Sequence, residues 1–338
     1  MKVKSLCKFL LLITVLLFTM GCSGNTIGKK LIRVSNGQPA SHPDNIAMEA
    51  FKKYIEDKLG DKYEVKIYPN GLLGASKNAL ELCQTGALEF VIASASNMET
   101  FDDIYSIFSI PYIFDNVTAY YEVMNNETRM SEIYNTTIDQ GVLTVGWFDA
   151  GTRNFYTNKP IRTVEDVKGM KIRVQPSPTN IAMMDAFGAG AVPMPFSEVY
   201  TAIQNNTVDG AENNEMALTS VKHGEVVKYY NYNMHQMVPD FLVANYLFIN
   251  GLDDSEKAIF REAIKIAEKV EQEEWKKQTQ EAIEVSQSKM GVEFIESDVQ
   301  SFKERVIPLH QQILKNNSKI KALYDYIDEM NKKYKDEV

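Results

Sequence analysis

Short apolar runs alternate with longer stretches of helical spacing along most of this chain. The apolar runs predict strands at Leu31–Val34, Val65–Tyr68, Leu88–Ala93, Leu143–Phe148, Met170–Val174 and Phe241–Ile249. The spacing between them predicts helices that include Asn45–Leu59, Ser76–Gly86 and Ser197–Asn205. This alternation of strands and helices predicts an α/β fold with largely parallel sheets.

The C-terminal third carries a long helical pattern. The stretch Ser255–Met290 contains no Pro or Gly, and its apolar residues recur mostly at three- and four-residue steps. Asp253 is suited to begin a helix and Gly291 to end one. A continuous helix would be about 54 Å long and would lie across two domains, whereas a break near Glu271–Glu274 would give two helices.

The composition is that of an ordinary globular protein with an acidic surface. The chain has 338 residues, which suits two domains, and 44% of them are hydrophobic. Its 36 Lys+Arg and 45 Asp+Glu give a formal charge of −9, which argues against nucleic acid as a partner. Three Cys and four His exclude a disulfide scaffold and a zinc-finger array.

The first residues have the pattern of an export signal. Basic residues precede an apolar run, Phe9–Phe18, that is too short for a membrane-spanning helix. Cys22 follows a small residue after that run and resembles the cysteine of a bacterial lipobox. This predicts a signal peptide over 1–21, a lipid on Cys22 and a tether over 22–30; the alternative is an ordinary signal peptide with Cys22 incidental. Cleavage would remove three lysines and no acid, which changes the net charge from −9 to −12.

Common catalytic and nucleotide-binding motifs are missing from the sequence. It contains no His-Glu-x-x-His, no Gly-x-Ser-x-Gly and no Gly-x-Gly-x-x-Gly. His223 and His235 are twelve positions apart and make a weak metal pair, so a structural or surface role is expected for them. The sequence therefore predicts neither a metal site nor a cofactor.

Two arginines stand where a charge must be compensated. Arg153 follows a predicted strand, and Arg173 lies inside another. In a sheet covered on both faces Arg173 would be partly buried and would need an anionic partner. A guanidinium matches a carboxylate with two parallel hydrogen bonds, and open α/β sheets bind ligands at the carboxyl ends of their strands. Pairing of Arg173 with an internal acid, such as Asp209 or Glu212, is the alternative.

Five motifs follow one another through the middle of the chain. They are Gly151–Arg153, Asn158–Ile161, Asp166–Val174, Met194–Gln204 and Val208–Asn213. This ordered set resembles the solute-binding proteins of TRAP (tripartite ATP-independent periplasmic) transporters, and a looser likeness covers residues 31–330. The resemblance implies an exported binding protein, not an enzyme, that captures a small organic acid and delivers it to a membrane permease.

The resemblance also implies roles for individual residues. Arg173 matches the arginine that clamps the ligand carboxylate, and Arg153 matches a second, supporting arginine. Phe196 matches an aromatic residue that packs beside the ligand, and Asn213 matches an amide that hydrogen-bonds the same carboxylate.

Further candidate residues are less distinctive. Ser94 and Asn97 stand where sialic-acid binders carry an acid and an arginine, so sialic acid is not expected. His42 either faces the cleft or caps the next helix, and Asn36 at the end of the first strand is equally open. Asp240 would suit a sugar hydroxyl, or would be an exposed turn residue.

The expected ligand is a hexuronate or a related sugar acid. Ala211–Asn214 together with His235–Asp240 are most similar to the branch of the family that binds hexuronates. A C4-dicarboxylate or another carboxylate is the alternative ligand. A secreted enzyme acting on acidic sugars and an adhesin or sensor are the alternative functions.

The resemblance implies a monomer with a two-lobed, periplasmic-binding-protein-like fold of discontinuous domains. We expect lobe I to comprise 31–148 plus 240–278, and lobe II to comprise 149–239 plus 279–332. A hinge would join the lobes, and the long C-terminal helix would span both.

Overall fold

The structure is a computed structural model that describes residues 28–316 and 318–337. The predicted signal peptide and Cys22 lie outside the described residues, as does most of the predicted tether. Within the described ranges, no helix combines the length and the apolar character needed to cross a membrane.

Two sheets, one of five strands and one of six, organise the described part of the chain. In chain order the strands are β1 (Lys30–Ser35), β2 (Tyr63–Tyr68), β3 (Phe90–Ser94), β4 (Val142–Phe148), β5 (Thr152–Thr157), β6 (Lys171–Val174), β7 (Gly190–Pro193), β8 (Gly210–Asn213), β9 (Tyr229–Met237), β10 (Asp240–Asn245) and β11 (Glu293–Glu296). The first sheet has the order β2-β1-β3-β10-β4, and the second has the order β11-β9-β5-β8-β6-β7.

Both sheets are mixed, which corrects the prediction of largely parallel sheets. β10 runs antiparallel to β3 and β4, and β5 runs antiparallel to β8 and β9. Each of these two strands follows directly on a strand of the other sheet, without the crossover helix that joins parallel neighbours. Strand–helix alternation therefore accounts for parallel pairs such as β1 with β2 and β6 with β8, but not for these two strands.

Helices and single turns connect the strands. The helices are α1 (Pro43–Leu59), α2 (Ser76–Gln84), α3 (Ala95–Met98), α4 (Val117–Met124), α5 (Glu127–Tyr134), α6 (Pro178–Phe187), α7 (Val199–Gln204), α8 (Met216–Ser220), α9 (Tyr246–Asn250), α10 (Asp254–Lys289), α11 (Val299–Asn316) and α12 (Ser318–Lys333). Tighter 3-10 turns occur at Asp103–Ser109, Asn135–Gln140, Val164–Val167, Phe196–Glu198 and His223–Glu225.

The predicted strand Phe241–Ile249 is strand only in its first half. β10 ends at Asn245, and α9 begins at the next residue. The side chain of Asn245 accepts a hydrogen bond from the backbone N–H of Phe248 and so caps this helix. An asparagine at a helix start favours that change of structure within an apolar run.

The long helix α10 is continuous over 36 residues. Asp253 and Glu256 form a reciprocal capping box at its start. Its first half buries Phe260 against the core of the first sheet, and farther along Trp275 packs with Met216, which follows the second sheet's β8. The prediction of a helix that extends across both lobes is thus confirmed.

The last two helices pack on different sheets. α11 contributes Phe302 to the core that contains Ile172 of the second sheet. α12 contributes Ile320 and Ile327 to the core of the first sheet, where it lies against α4. Almost all of α12 falls within 279–332, the segment predicted for lobe II, and its apolar face packs against α4. The lobe boundaries stay a prediction.

The chain passes between the sheets at two short connections. It leaves the first sheet through Asp149–Gly151 and returns through Val238 and Pro239. Gly151 has φ +61°, and a Cβ at this position would lie 2.9 Å from Cζ2 of Trp275. Since side chains are disfavoured in this left-handed conformation, the first connection requires glycine at position 151.

Candidate functional site

A cavity of about 150 Å³ is lined by residues from both sheets. The first sheet contributes the segments that follow β1, β2 and β3 and the start of β10, and the second contributes parts of β5, β6 and β8 and the segment after β7. The predicted ligand-binding residues that line this cavity are Asn36, Ser94, Asn97, Arg153, Arg173, Phe196, Asn213 and Asp240. His42 is the predicted residue that does not line it.

Arg173 lies in β6, between β8 and β7, and is 2% exposed. Its Nε and Nη2 donate hydrogen bonds to the carbonyl oxygen of Met194, at 3.1 and 2.9 Å. Nη1 is buried and has no hydrogen-bond partner among the described residues. Because one side of the guanidinium is held by Met194, the Nη1–Nη2 end remains for two parallel bonds to a carboxylate.

Neither internal acid considered for Arg173 forms an ion pair with it. Asp209 accepts a hydrogen bond from the backbone of Lys171, and Glu212 pairs with Arg153. Burial lowers the pKa of the Arg173 guanidinium, because its charge has lost water and the charge of the nearby Glu212 only partly offsets that loss. The site therefore contains a buried cation that an anionic ligand would neutralise.

Arg153 lies within β5 rather than in a loop after β4, and its charge is already compensated. Nε donates to Glu212 Oε2, and Nη2 donates to the Glu212 carbonyl oxygen at 2.9 Å. Burial opposes ionisation of Glu212, but Arg153 and His235 outweigh it and hold the pKa of that carboxyl at about 2. Arg153 thus belongs to a buried ion pair at the wall of the cavity and can support the site without supplying net charge.

The amide of Asn213, at the end of β8, has a fixed orientation. Its Oδ1 accepts hydrogen bonds from Arg153 Nη1 and from the backbone N–H of Asn214, both at 2.9 Å. Since the oxygen is engaged on the protein side, Nδ2 is the group left to donate towards the cavity. Asn213 is therefore arranged as a donor for a ligand oxygen.

Phe196 covers one side of the Arg173 group. The Arg173 Cζ atom lies 5.8 Å from the centre of the Phe196 ring, a distance at which a cation and a ring attract each other. His223 packs edge-on against Phe196 and shares a 2.9 Å hydrogen bond with the Tyr156 hydroxyl. Burial, together with the charge of Arg173, lowers the pKa of His223 to about 3, so this imidazole is neutral.

The two histidines considered as a metal pair have separate partners. His223 is bonded to Tyr156, whereas His235 lies next to Glu212 and Asn233. In the described part of the chain, no group of His, Cys, Asp and Glu side chains is arranged to hold a metal ion.

On the first-sheet side, Asn36 and His42 have structural partners. Asn36 Oδ1 accepts from the Gln38 backbone N–H at 3.1 Å, and its Nδ2 donates to Asp44 at 3.2 Å. His42 Nδ1 accepts from the backbone N–H of Asp44 at the start of α1, and the ring packs edge-on against Trp275. His42 therefore takes the helix-capping role, while Asn36 also borders the cavity.

Ser94 and Asp240 face each other across the β3–β10 pair. Ser94 is 8% exposed, and its Oγ has no hydrogen-bond partner within the described ranges. Burial and the neighbouring Asp44 raise the pKa of Asp240 to about 7, against the opposing effects of His42 and Arg153. Both groups line the cavity opposite the Arg173 side and can form hydrogen bonds with hydroxyl groups.

Several cavity residues were missed from the sequence. Gln38, Asn70, Lys77 and Gln175 also line the cavity. Gln175 follows Arg173 by two positions, and alternate residues of an extended chain project from the same side. This two-residue period could have identified Gln175 from the sequence. Nothing local to Lys77 marks it, because its place at the cavity depends on where α2 starts.

Comparison with known proteins places the chain in a family. The profile of bacterial extracellular solute-binding proteins, family 7 (DctP), matches residues 34–317. An uncharacterized protein of Salmonella typhimurium, YiiZ, is 38% identical over 301 residues, which is 89% of this chain and 91% of that protein.

Solved structures give the same result. A TRAP periplasmic solute-binding protein from Anaerococcus prevotii, with bound α/β-D-glucuronate, is 46% identical, with a TM-score of 0.89 and coverage of 90% of this chain and 99% of that chain. One from Sulfitobacter sp. NAS-14.1, with bound β-D-galacturonate, is 31% identical, with a TM-score of 0.83 and coverage of 88% and 98%. The matched family consists of transport binding proteins rather than enzymes. The chain belongs to the DctP family, the periplasmic solute-binding proteins of TRAP transporters.

Proposed function

We propose that this protein binds a hexuronate, such as D-glucuronate or D-galacturonate, in the cavity between its sheets and delivers it to a TRAP permease. The observation that carries the proposal is that Arg173 lines the cavity while its buried Nη1 has no hydrogen-bond partner among the described residues. The hexuronates bound by the Anaerococcus and Sulfitobacter proteins support the choice of sugar acid.

The free energy of binding requires both sides of the cavity. A charge-assisted hydrogen bond contributes about 1.5–3 kcal/mol net, so a two-bond clamp at Arg173 contributes roughly 3–6 kcal/mol. Micromolar affinity corresponds to about 8 kcal/mol. Hydrogen bonds from the first-sheet side to the sugar hydroxyls supply the remainder, with Ser94, Asn97 and Asp240 as the contributing groups.

The charges around the cavity favour a monoanion over a C4-dicarboxylate. Arg153 is neutralised by Glu212, and Lys77 is exposed at the start of α2. A second carboxylate would therefore have no unpaired buried cation to bind on the first-sheet side of the cavity, where Ser94 and Asp240 lie. A hydroxyl group would instead find hydrogen-bond partners there. The cavity of about 150 Å³ is also below the roughly 300–1,000 Å³ of pockets for drug-sized ligands, which suits one small sugar acid.

Ligand capture would proceed by closure of two lobes about a hinge. The connections at Asp149–Gly151 and Val238–Pro239, and α10 beside them, support a hinge between the two sheets. The proposed lobes are 31–148 plus 240–278, and 149–239 plus 279–332, with α12 docked on the first. For localisation, we infer that residues 1–21 are removed and that a lipid on Cys22 anchors the protein to a membrane.

A thermal-shift screen tests the ligand assignment. D-Glucuronate and D-galacturonate are compared with succinate and with neutral D-glucose, at concentrations far above a micromolar dissociation constant. We expect the uronates to raise the melting temperature, because a ligand at 100 times its Kd stabilises the folded state by about 2.7 kcal/mol. The same unfolding temperature with every carboxylate would contradict the proposal, and a shift with succinate alone would replace the uronate by a dicarboxylate.

A further inference from the structure

Four carboxyl groups from four elements meet behind the ligand cavity. Asp44 belongs to α1, Asp149 to the connection after β4, Asp240 to the start of β10, and Glu271 to α10. Asp44 and Glu271 are fully buried and Asp149 is 6% exposed. Glu271 interacts electrostatically with the other three acids, and its Oε2 accepts a hydrogen bond from the Asp149 backbone at 3.0 Å.

Few positive charges offset these acids. Arg153 faces Asp240 but is already paired with Glu212. His42 also faces Asp240, and its Nδ1 accepts a hydrogen bond from the Asp44 backbone. Glu271 Oε1 is buried and has no hydrogen-bond partner among the described residues. The burial of these acids with few compensating cations opposes the simultaneous ionisation of Asp149, Asp240 and Glu271.

The directions of the pKa shifts agree with this geometry. Burial raises the pKa of Asp149 and outweighs the hydrogen bond that the Tyr121 hydroxyl donates to its Oδ2. The neighbouring Tyr120 also faces Asp149, Asp240 and Glu271, and burial raises its pKa. Burial, followed by the charges of Asp44 and Asp149, raises the pKa of Glu271. Burial, followed by the charge of Asp44, raises the pKa of Asp240 to about 7.

The cluster reaches the ligand cavity at Asp240. This residue lines the cavity and is paired in register with Ser94, whose buried Oγ has no partner in the described part of the chain. An unpaired buried hydroxyl beside Asp240 indicates that a ligand group is received at this point. Any change of charge or hydration in the cavity therefore acts directly on Asp240.

We propose that binding of the sugar acid is coupled to the uptake of a proton by Asp240 and the carboxyl groups behind it. The coupling rests on the proposed function, because it requires an anionic ligand. The ligand brings a negative charge into the cavity and displaces water, and both changes favour the neutral form of a carboxyl group. The protonated Asp240 then donates a hydrogen bond to an oxygen of the sugar.

Proton uptake determines how affinity depends on pH. If the pKa of Asp240 is about 7 in the free protein and higher in the complex, affinity is constant below that pH. Above it, affinity falls by up to about tenfold per pH unit for one proton, until the pKa of the complex is reached.

Calorimetric titration with D-glucuronate tests the coupling. Titrations at pH 6 and pH 8, each in phosphate and in imidazole buffer, report proton uptake through the difference in heat between the buffers. We expect a buffer-dependent heat and a weaker affinity at pH 8. Asp240→Asn should remove both dependences on pH and buffer, whatever its absolute affinity, whereas the exposed control Asp185→Asn should keep them. Equal heats and equal affinities for the natural protein under all conditions would overturn the proposal.

A second measurement needs no ligand. A carboxyl whose pKa is raised from 3.8 to about 7 by folding stabilises the folded protein fully below its unfolded pKa and loses that contribution as pH rises to about 7. Asp240→Asn should therefore flatten the change of melting temperature between pH 4 and pH 7. Identical profiles for Asp240→Asn and the natural protein would overturn the proposal that Asp240 holds a proton in the folded state. This measurement does not depend on uronate binding, so its outcome is distinct from a failure of the proposed function.

Discussion

Arg173 has two different environments at the two ends of its guanidinium. Nε and Nη2 donate hydrogen bonds to the carbonyl oxygen of Met194, whereas Nη1 has no hydrogen-bond partner among the described residues. The backbone of the chain thus orients the group before any ligand arrives. A carboxylate that approaches end-on meets donors that are already in position, which reduces the ordering needed on binding.

Arg173→Lys should weaken uronate binding roughly ten- to a hundredfold. Lysine keeps the charge but cannot form two parallel hydrogen bonds, and one lost charge-assisted bond corresponds to about 1.5–3 kcal/mol. Isothermal titration calorimetry with D-glucuronate measures the change. Arg162→Lys is the matched control, since Arg162 is exposed and does not line the cavity. Unchanged affinity in Arg173→Lys would contradict the clamp.

Arg173 could be found from sequence because a charged residue inside an apolar strand requires compensation. Its hydrogen-bond partner could not, since Met194 reaches it only when β6 and β7 pair. The same holds for Arg153: its pairing with Glu212 follows from the antiparallel register of β5 and β8. For His42, both a cleft role and a capping role fitted the sequence, and only the position of α1 distinguishes them.

Elements with strong periodicity were predictable, and polar strands were not. α10 could be located because its apolar pattern, its start at Asp253 and its stop near Gly291 agree. β9 was missed because Tyr229–Met237 alternates aromatic residues with asparagine, histidine and glutamine, several of them buried. Asn231 and Asn233 are buried there because they satisfy backbone groups of Ile161 and Phe155, which is a tertiary effect that local patterns do not contain.

Gly151→Ala should lower the free energy of unfolding and impair ligand-induced closure. A residue with a Cβ pays about 1–2 kcal/mol in the left-handed conformation, and the added atom would press on Trp275. Gly169→Ala is the matched control, because Gly169 has φ +76° but nothing within 4 Å of an added Cβ. Small-angle X-ray scattering with and without D-glucuronate should show a decrease in the radius of gyration for the control and a smaller one for Gly151→Ala. Equal decreases would argue against closure at this connection.

At the scale of the whole molecule, the net negative charge of the chain does not predict the charge of its ligand. The net charge of −9 argued against polyanions as partners, yet the cavity presents a buried arginine without an acidic partner in the described ranges. A buried cation without an ion-pair partner can select a small acid, because water screens its charge less than it screens charges at the surface. Bulk composition could not reveal this, whereas the order of motifs along the chain could.

The position of the protein relative to the membrane depends on Cys22. Acyl chains bind membranes through about 0.8 kcal/mol for each buried methylene group, so a lipidated chain should fractionate with membranes. We expect Cys22→Ala to move the protein to the soluble fraction and Cys7→Ala to leave it with the membranes, since Cys7 lies in the segment proposed to be removed. Immunoblotting of the fractions measures this, and membrane association of Cys22→Ala would refute lipid anchoring.

The carbonyl oxygen of Met194 also bears on which sugars the proposed uptake would admit. It accepts hydrogen bonds from one side of Arg173, and Nη1 has no hydrogen-bond partner among the described residues. A ligand would therefore have to supply the acceptor for Nη1. A neutral sugar with the same ring offers no anion to that donor, and a buried polar group left unsatisfied costs about 1–3 kcal/mol. The proposed uptake would therefore select sugars by oxidation state. A sugar whose terminal carbon is a carboxylate would be bound, and the corresponding unoxidised sugar would not.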